Sequence, residues 1–140
     1  MSDKYFVDTN VLVYAHDRTA GAKHERARQL VEHLWLTGEG VLSTQVLQEL
    51  CVTLRRKVTP PLSWEQVRHF VENYLAWEVV TNEPSSVVEA LEIEKRFKIS
   101  YWDALVIHAA WRSGAPVLYS EDLADGQRYD SLRIVNPLVA

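Results

Sequence analysis

Tyr5-Phe6-Val7-Asp8-Thr9-Asn10-Val11-Leu12 sets a carboxylate at the end of a short apolar run and then begins a second apolar pattern. The run suits a buried strand, and Val11, Leu12 and Tyr14 suit the first turns of a helix. In an open parallel sheet, ligands bind just beyond the carboxyl ends of the strands, where Asp8, Thr9 and Asn10 would stand.

The same alternation continues outward from this stretch. The first helix should end near Asp17 and the Thr19-Ala20-Gly21 break, and a second runs from about Ala22 to Trp35 with Ala27, Leu30, Val31 and Leu34 on one face. Thr37-Gly38-Glu39-Gly40 closes it. Val41-Leu42-Ser43 is a buried strand, followed by a helix with Leu47, Leu50, Cys51 and Leu54 as its stripe and Arg55-Arg56-Lys57 in its last turn, where cations are favoured. After Pro60-Pro61, Ser63 and Gln66 form a capping box for a helix carrying Val67, Phe70, Val71 and Tyr74. Glu78-Val79-Val80 is a third strand. Ser86 with Glu89 predicts a second box, for a helix resting on Val87, Ala90, Leu91 and Phe97. Ser100 with Asp103 predicts a third, for a helix from Tyr101 that Gly114 ends. Pro116 to Ser120 and Leu132 to Val135 read as strands four and five.

Strands alternating with helices predict an α/β fold: one three-layer domain over residues 1–140, with a mostly parallel central sheet of about five strands and helices on both faces. Asp8 follows strand one and Asp122 follows strand four, so both stand at one edge of the sheet. They meet if those strands are neighbours.

Composition narrows the class. Hydrophobic residues at 47% with 24% charged residues suit a globular protein rather than a disordered one. The start lacks the pattern of a signal peptide, and no apolar run approaches the roughly 20 residues of a membrane span. The single cysteine, Cys51, cannot form an internal disulfide and is read as core filler, so a cytoplasmic protein without a membrane role is expected. The net charge of -4 is unusual for a protein that handles nucleic acid. Setting aside Asp8, Glu49, Asp103 and Asp122 leaves 19 - 4 = 15 acids against 15 bases, so the excess equals these four residues.

Four acids suggest a metal. A phosphodiester is itself anionic and approaches carboxylates only when cations intervene. Magnesium, with manganese as the alternative ion, takes oxygen ligands of this kind and can turn water into a nucleophile. Thr9, Asn10 and Ser120 could orient the carboxylates. Plainer roles exist for each: Asp8 as a helix cap, Glu49 as a surface side chain beside Gln45 and Gln48, Asp103 as half of the Ser100 box, Asp122 as a turn residue sharing its place with Glu121. The five histidines show no zinc spacing, and no glycine-rich phosphate loop or nucleophile elbow is present. Arg18, Arg55, Arg56, Lys57 and Arg112 are candidate phosphate contacts, none assigned.

These acids and their flanks resemble the PIN-domain ribonucleases, specifically the VapC-like toxins of toxin-antitoxin pairs. Asp8-Thr9-Asn10-Val11-Leu12 is similar to the opening motif, Ser43 through Leu50 to the segment carrying the second acid, Tyr101-Trp102-Asp103-Ala104-Leu105 to the third, and Leu118 through Leu123 to the fourth. Gly126-Gln127 and Ile134-Val135-Asn136-Pro137 extend the resemblance over essentially the whole chain. It implies a magnesium-dependent ribonuclease that hydrolyses RNA phosphodiester bonds, with Asp8, Glu49, Asp103 and Asp122 as catalytic metal ligands, a homodimer, and a cognate antitoxin. Two rivals differ in class. A haloacid-dehalogenase-type phosphatase would need a second aspartate where Asn10 stands, and a receiver-like magnesium-binding module gives Glu49 no role.

Overall fold

The structure is a computed structural model that describes residues 3–139. Its strands are β1 (Tyr5–Val7), β2 (Gly40–Ser43), β3 (Glu78–Val80), β4 (Val117–Tyr119), β5 (Arg128–Tyr129) and β6 (Leu132–Val135). The helices are α1 (Thr9–His16), α2 (Ala22–Thr37), α3 (Thr44–Arg56), α4 (Trp64–Tyr74), α5 (Pro84–Phe97) and α6 (Tyr101–Ser113). The sheet order is β3-β2-β1-β4-β6-β5, parallel except for the β5–β6 pair.

This order accounts for helices on both faces. From β1 to β2 to β3 the chain steps one way along the sheet, then jumps back across to β4. With right-handed crossovers, reversing direction moves the connecting helices to the other face. Accordingly α1 packs on α2 and α3, and α3 on α4, while α5 packs on α6 and α6 lies against β2, β3 and β4. Phe6, Leu42, Leu118, Leu132 and Ile134 are wholly buried between the layers.

Local signals fix the ends. The Ser63–Gln66 box forms as expected, with Gln66 N–H donating to Ser63 Oγ at 3.2 Å and Ser63 N–H to Gln66 Oε1 at 2.9 Å. Gly38 and Gly114 end α2 and α6 in the left-handed conformation. Gly40 has a packing reason: a Cβ there would meet the Trp77 ring at 2.5 Å.

Several expectations are corrected. The sheet has six strands, because the two-residue β5 turns back on β6, and two residues leave no periodicity to read. α5 starts at Pro84, whose fixed φ suits a first helical turn, and Ser86 lies inside it, accepting from Glu83 N–H at 3.0 Å instead of opening a box with Glu89. Ala90 and Ile93 form the buried stripe of α5, whereas Val87 and Leu91 are exposed. Cys51 is only half-buried at the margin of the core. No described helix is long and apolar enough to cross a membrane.

Candidate active site

β1 and β4 are neighbours, with Val7 opposite Tyr119, so the residues that follow them emerge side by side. Asp8, nearly buried at 5% exposure, caps α1 and also faces Ser120. Its Oδ1 accepts from Thr9 N–H at 2.8 Å and its Oδ2 from the Ser120 hydroxyl at 2.9 Å. Capping and site membership therefore coexist in one residue, one oxygen serving each side.

The other acids arrive from different segments. Glu49 sits on α3, half-buried, and its Oε1 accepts from the Thr9 hydroxyl at 2.8 Å. Asp122 follows β4, and its Oδ2 accepts from Asn10 Nδ2 at 3.0 Å. Asp103 lies in the first turn of α6, where its N–H donates to Ser100 Oγ at 3.1 Å. Among the described residues the reciprocal half of that box, the Asp103 carboxylate on the Ser100 amide, does not form. Asp8, Glu49, Asp103 and Asp122 all line one cleft of about 790 Å³. Thr9 holds Asp8 through its backbone amide and Glu49 through its hydroxyl, Asn10 holds Asp122 and, at 3.5 Å, Asp8, and Ser120 holds Asp8.

The cleft is strongly acidic. Asp17 and Glu121 also border it, and among the described residues Lys57 is its one basic lining residue. Burial pushes the Asp8 carboxyl up to about 7 against the hydrogen bonds from Ser120 and Thr9, and the charges of Glu49 and Asp122 add to the rise. Burial also raises Asp103, Ser100 draws it back, and Asp122 raises it further. None of the four makes an ion pair among the described residues. Glu121 differs: its Oε2 pairs with Lys23 Nζ at 2.6 Å and its Oε1 accepts from the Tyr14 hydroxyl at 3.0 Å. That contact separates the adjacent acids, leaving Asp122 without a cation. The sequence contains no local sign of it, because Lys23 and Tyr14 lie about a hundred positions away.

The donor set fits a hard divalent cation: carboxylate oxygens, one of them buried without a positive partner. Gln45, 5% exposed on the cleft wall, donates through Nε2 to the Trp102 carbonyl at 3.2 Å while its Oε1 has no partner. Among the described residues no three His, Cys, Asp or Glu side chains converge into a ready-made cage. Glu49 accepts from the Thr9 hydroxyl and Asp122 from the Asn10 side-chain amide. Of the candidate phosphate contacts, Lys57 reaches the cleft, whereas Arg112 donates to the Thr81 carbonyl at 2.6 Å and lies 3.6 Å from Glu83.

The family model of the PIN domain matches residues 5–126. Comparison with curated proteins finds no match. Among solved structures, the chain is similar to VapC20 of Mycobacterium tuberculosis, described as a toxin that cleaves the sarcin-ricin loop. Their TM-score is 0.66 at 18% identity, covering 85% of this chain and 90% of that one. It is similar to DNA-bound VapBC of Salmonella typhimurium, at TM-score 0.66 and 18% identity over 95% and 97% of the two chains. A toxin-antitoxin complex of Klebsiella pneumoniae gives 0.70 at 15% identity over 96% and 98%. At these identities the likeness is one of fold.

Proposed function

The chain belongs to the PIN domain family, and from that premise we propose that it is a divalent-metal-dependent ribonuclease acting as the toxin of a toxin-antitoxin pair. The observation that carries this reading is that Asp8, Glu49, Asp103 and Asp122, from four separate segments, line one cleft where, among the described residues, buried Asp8 has no positive partner. The solved relatives named as toxins or toxin-antitoxin complexes support it. The match favours this reading over the phosphatase and receiver-like alternatives.

In this reading Asp8, Glu49, Asp103 and Asp122 hold magnesium, or manganese in its place. The bound cation supplies positive charge that lets a phosphodiester approach and makes water more acidic. The chain's own residues do the positioning. Ser120 and the Thr9 amide fix the rotamer of Asp8, Thr9 restrains Glu49, and Asn10 restrains Asp122. Lys57, on the same wall, is placed to meet a phosphate.

A cognate antitoxin covers the cleft in this proposal, the chain acts in the cytoplasm as one domain, and two copies associate. Trp35, Trp64 and Trp102, exposed at 41%, 56% and 62%, support an interface of some kind. The test is incubation of purified protein with a mixed RNA pool, with magnesium and with chelator, and sequencing of the cut ends. Cleavage should need the metal. Equal cutting in chelator, or none with magnesium or manganese, contradicts the reading.

A further inference from the structure

Alternation along the strands gives the sheet two faces, and one of them is left partly bare. Phe6, Leu118, Ile134 and Tyr129 share the face covered by α5 and α6, where Tyr129 meets Phe97 edge-on with ring centroids 5.0 Å apart. The opposite face carries Tyr5, Val117, Tyr119, Arg133 and Arg128. A hollow of about 410 Å³ lies there, lined by strand and loop residues alone. The Tyr5 and Tyr119 rings stack with centroids 5.6 Å apart and planes 17° from parallel.

Arg128 and Arg133 sit directly opposite each other on β5 and β6, both exposed, and both border this hollow and an adjoining one of about 560 Å³. Like charges opposed across an antiparallel pair destabilise it. Among the described residues neither arginine has an ion-pair partner. Nearby acids are engaged elsewhere: Asp130 pairs with Arg96, and Asp125 accepts from the Asn136 amide at 2.9 Å. Glu39 is the one carboxylate acting on Tyr119, where burial, then Tyr5, raises the phenol, Arg133 lowers it and Glu39 raises it. Two opposed cations beside a stacked aromatic pair are complementary to an anionic chain with planar groups.

We infer that this face is a second contact surface for single-stranded RNA, the Arg128–Arg133 pair holding phosphates and the Tyr5–Tyr119 shelf stacking bases. The inference rests on the ribonuclease reading, and it fills a need of that reading. Among the described residues Lys57 is the one basic residue lining the acidic cleft, so cationic contacts outside it add to the backbone affinity that the metal and Lys57 supply. β4 links the two regions along the chain, with Tyr119 bordering the hollow and Asp122, three residues on, lining the cleft. Tyr5 and Tyr119 are half-buried, and the ring surface they turn to the hollow suits unstacked bases rather than a duplex, which favours single strands.

The test measures binding of a short labelled RNA of mixed sequence to the full chain carrying Asp8→Asn, so that the RNA survives, and cleavage by the otherwise wild-type chain. Arg128→Gln with Arg133→Gln should weaken binding and lower the salt dependence by about 0.7 per lost phosphate contact. Tyr5→Leu should weaken it by about fivefold to a hundredfold. Melting temperatures check folding, and the arginine pair retains the test if Tyr5→Leu is unstable. Unchanged affinity and salt slope in the arginine variant, or duplex RNA binding as well as single strands, overturns the surface. So does loss of self-association in the variant with RNA binding intact, which makes the face a contact between copies. If wild type cuts no RNA but the arginine variant loses binding, the nuclease reading falls and the surface stands. If wild type cuts and the variants bind unaltered, the surface alone falls.

Discussion

Helix α1 carries an ionisable group at each end, buried Asp8 at its amino tip and half-buried His16 at its carboxyl tip, and desolvation drives both toward their neutral forms. Asp8 is pushed up to about 7. His16 is pushed down to about 4, by burial first and by His24 second. Their surroundings differ. His16 shares a 2.9 Å hydrogen bond with the Tyr74 hydroxyl and stacks on Phe70 at 4.2 Å, so its neutral form is well accommodated. Burial keeps the Tyr74 phenol protonated. Asp8 instead faces further carboxylates, with only hydroxyl and amide groups to steady its charge. His16 has a neutral partner beside it, whereas Asp8 is left wanting a cation, the pattern expected of a functional group.

The largest effect expected from this contrast is on cleavage. Asp8→Asn should reduce RNA cutting in magnesium by about a thousandfold, the several kcal/mol that a metal contributes to the reaction. His16→Gln should leave cutting near wild type. Rates from a single RNA substrate decide it, and a strong loss in His16→Gln would break the contrast.

Next is stability in chelator. A carboxyl whose pKa is raised by folding stabilises the fold below its unfolded value of 3.8, and that contribution is lost as pH rises through about 7. Each tenfold change in proton affinity between the folded and unfolded chain is worth about 1.36 kcal/mol. Asp8→Asn should therefore outlast wild type by up to about 4 kcal/mol above pH 7 and match it near pH 4. Denaturant titrations at the two pH values measure this. The sign for His16 is opposite. Its lowered pKa makes the unfolded chain bind the extra proton, so stability should fall as pH drops from 6.5 toward 4, by up to about 3 kcal/mol. His16→Gln should flatten that limb, and an unchanged acid limb counts against burial as the cause.

The smallest effect concerns the cap of α6. Ser100→Ala should cost about 0.5–2 kcal/mol and keep activity. Asp103→Asn keeps the amide that Ser100 caps, so it should leave stability in chelator little changed while stopping cleavage. An active, destabilised Asp103→Asn would return Asp103 to a purely structural role.

How much of the molecule is legible in its sequence follows from the range of each interaction. Strand ends, the Ser63 box and the Gly38 and Gly114 caps are local, and a sequence window holds them whole. The placement of Asp8 and Asp122 on one edge needed only strand order, and β1 does lie beside β4. Long-range contacts were hidden: the Lys23 and Tyr14 bonds to Glu121, the Arg112 bond to Thr81, and the Gln45 bond to Trp102. The exposed side of α5 was misread because Val87 and Leu91 fit the helical period as well as Ala90 and Ile93 do. Burial of a stripe depends on what packs against it.

The central claim is that Asp8, Glu49, Asp103 and Asp122 share one divalent-cation site, and a magnesium titration of the melting temperature tests it most directly. Binding to the folded state alone raises the midpoint by mass action. Wild type should rise with magnesium, while Asp8→Asn, Glu49→Gln, Asp103→Asn and Asp122→Asn should each rise markedly less. Equal shifts in wild type and all four variants would contradict the account.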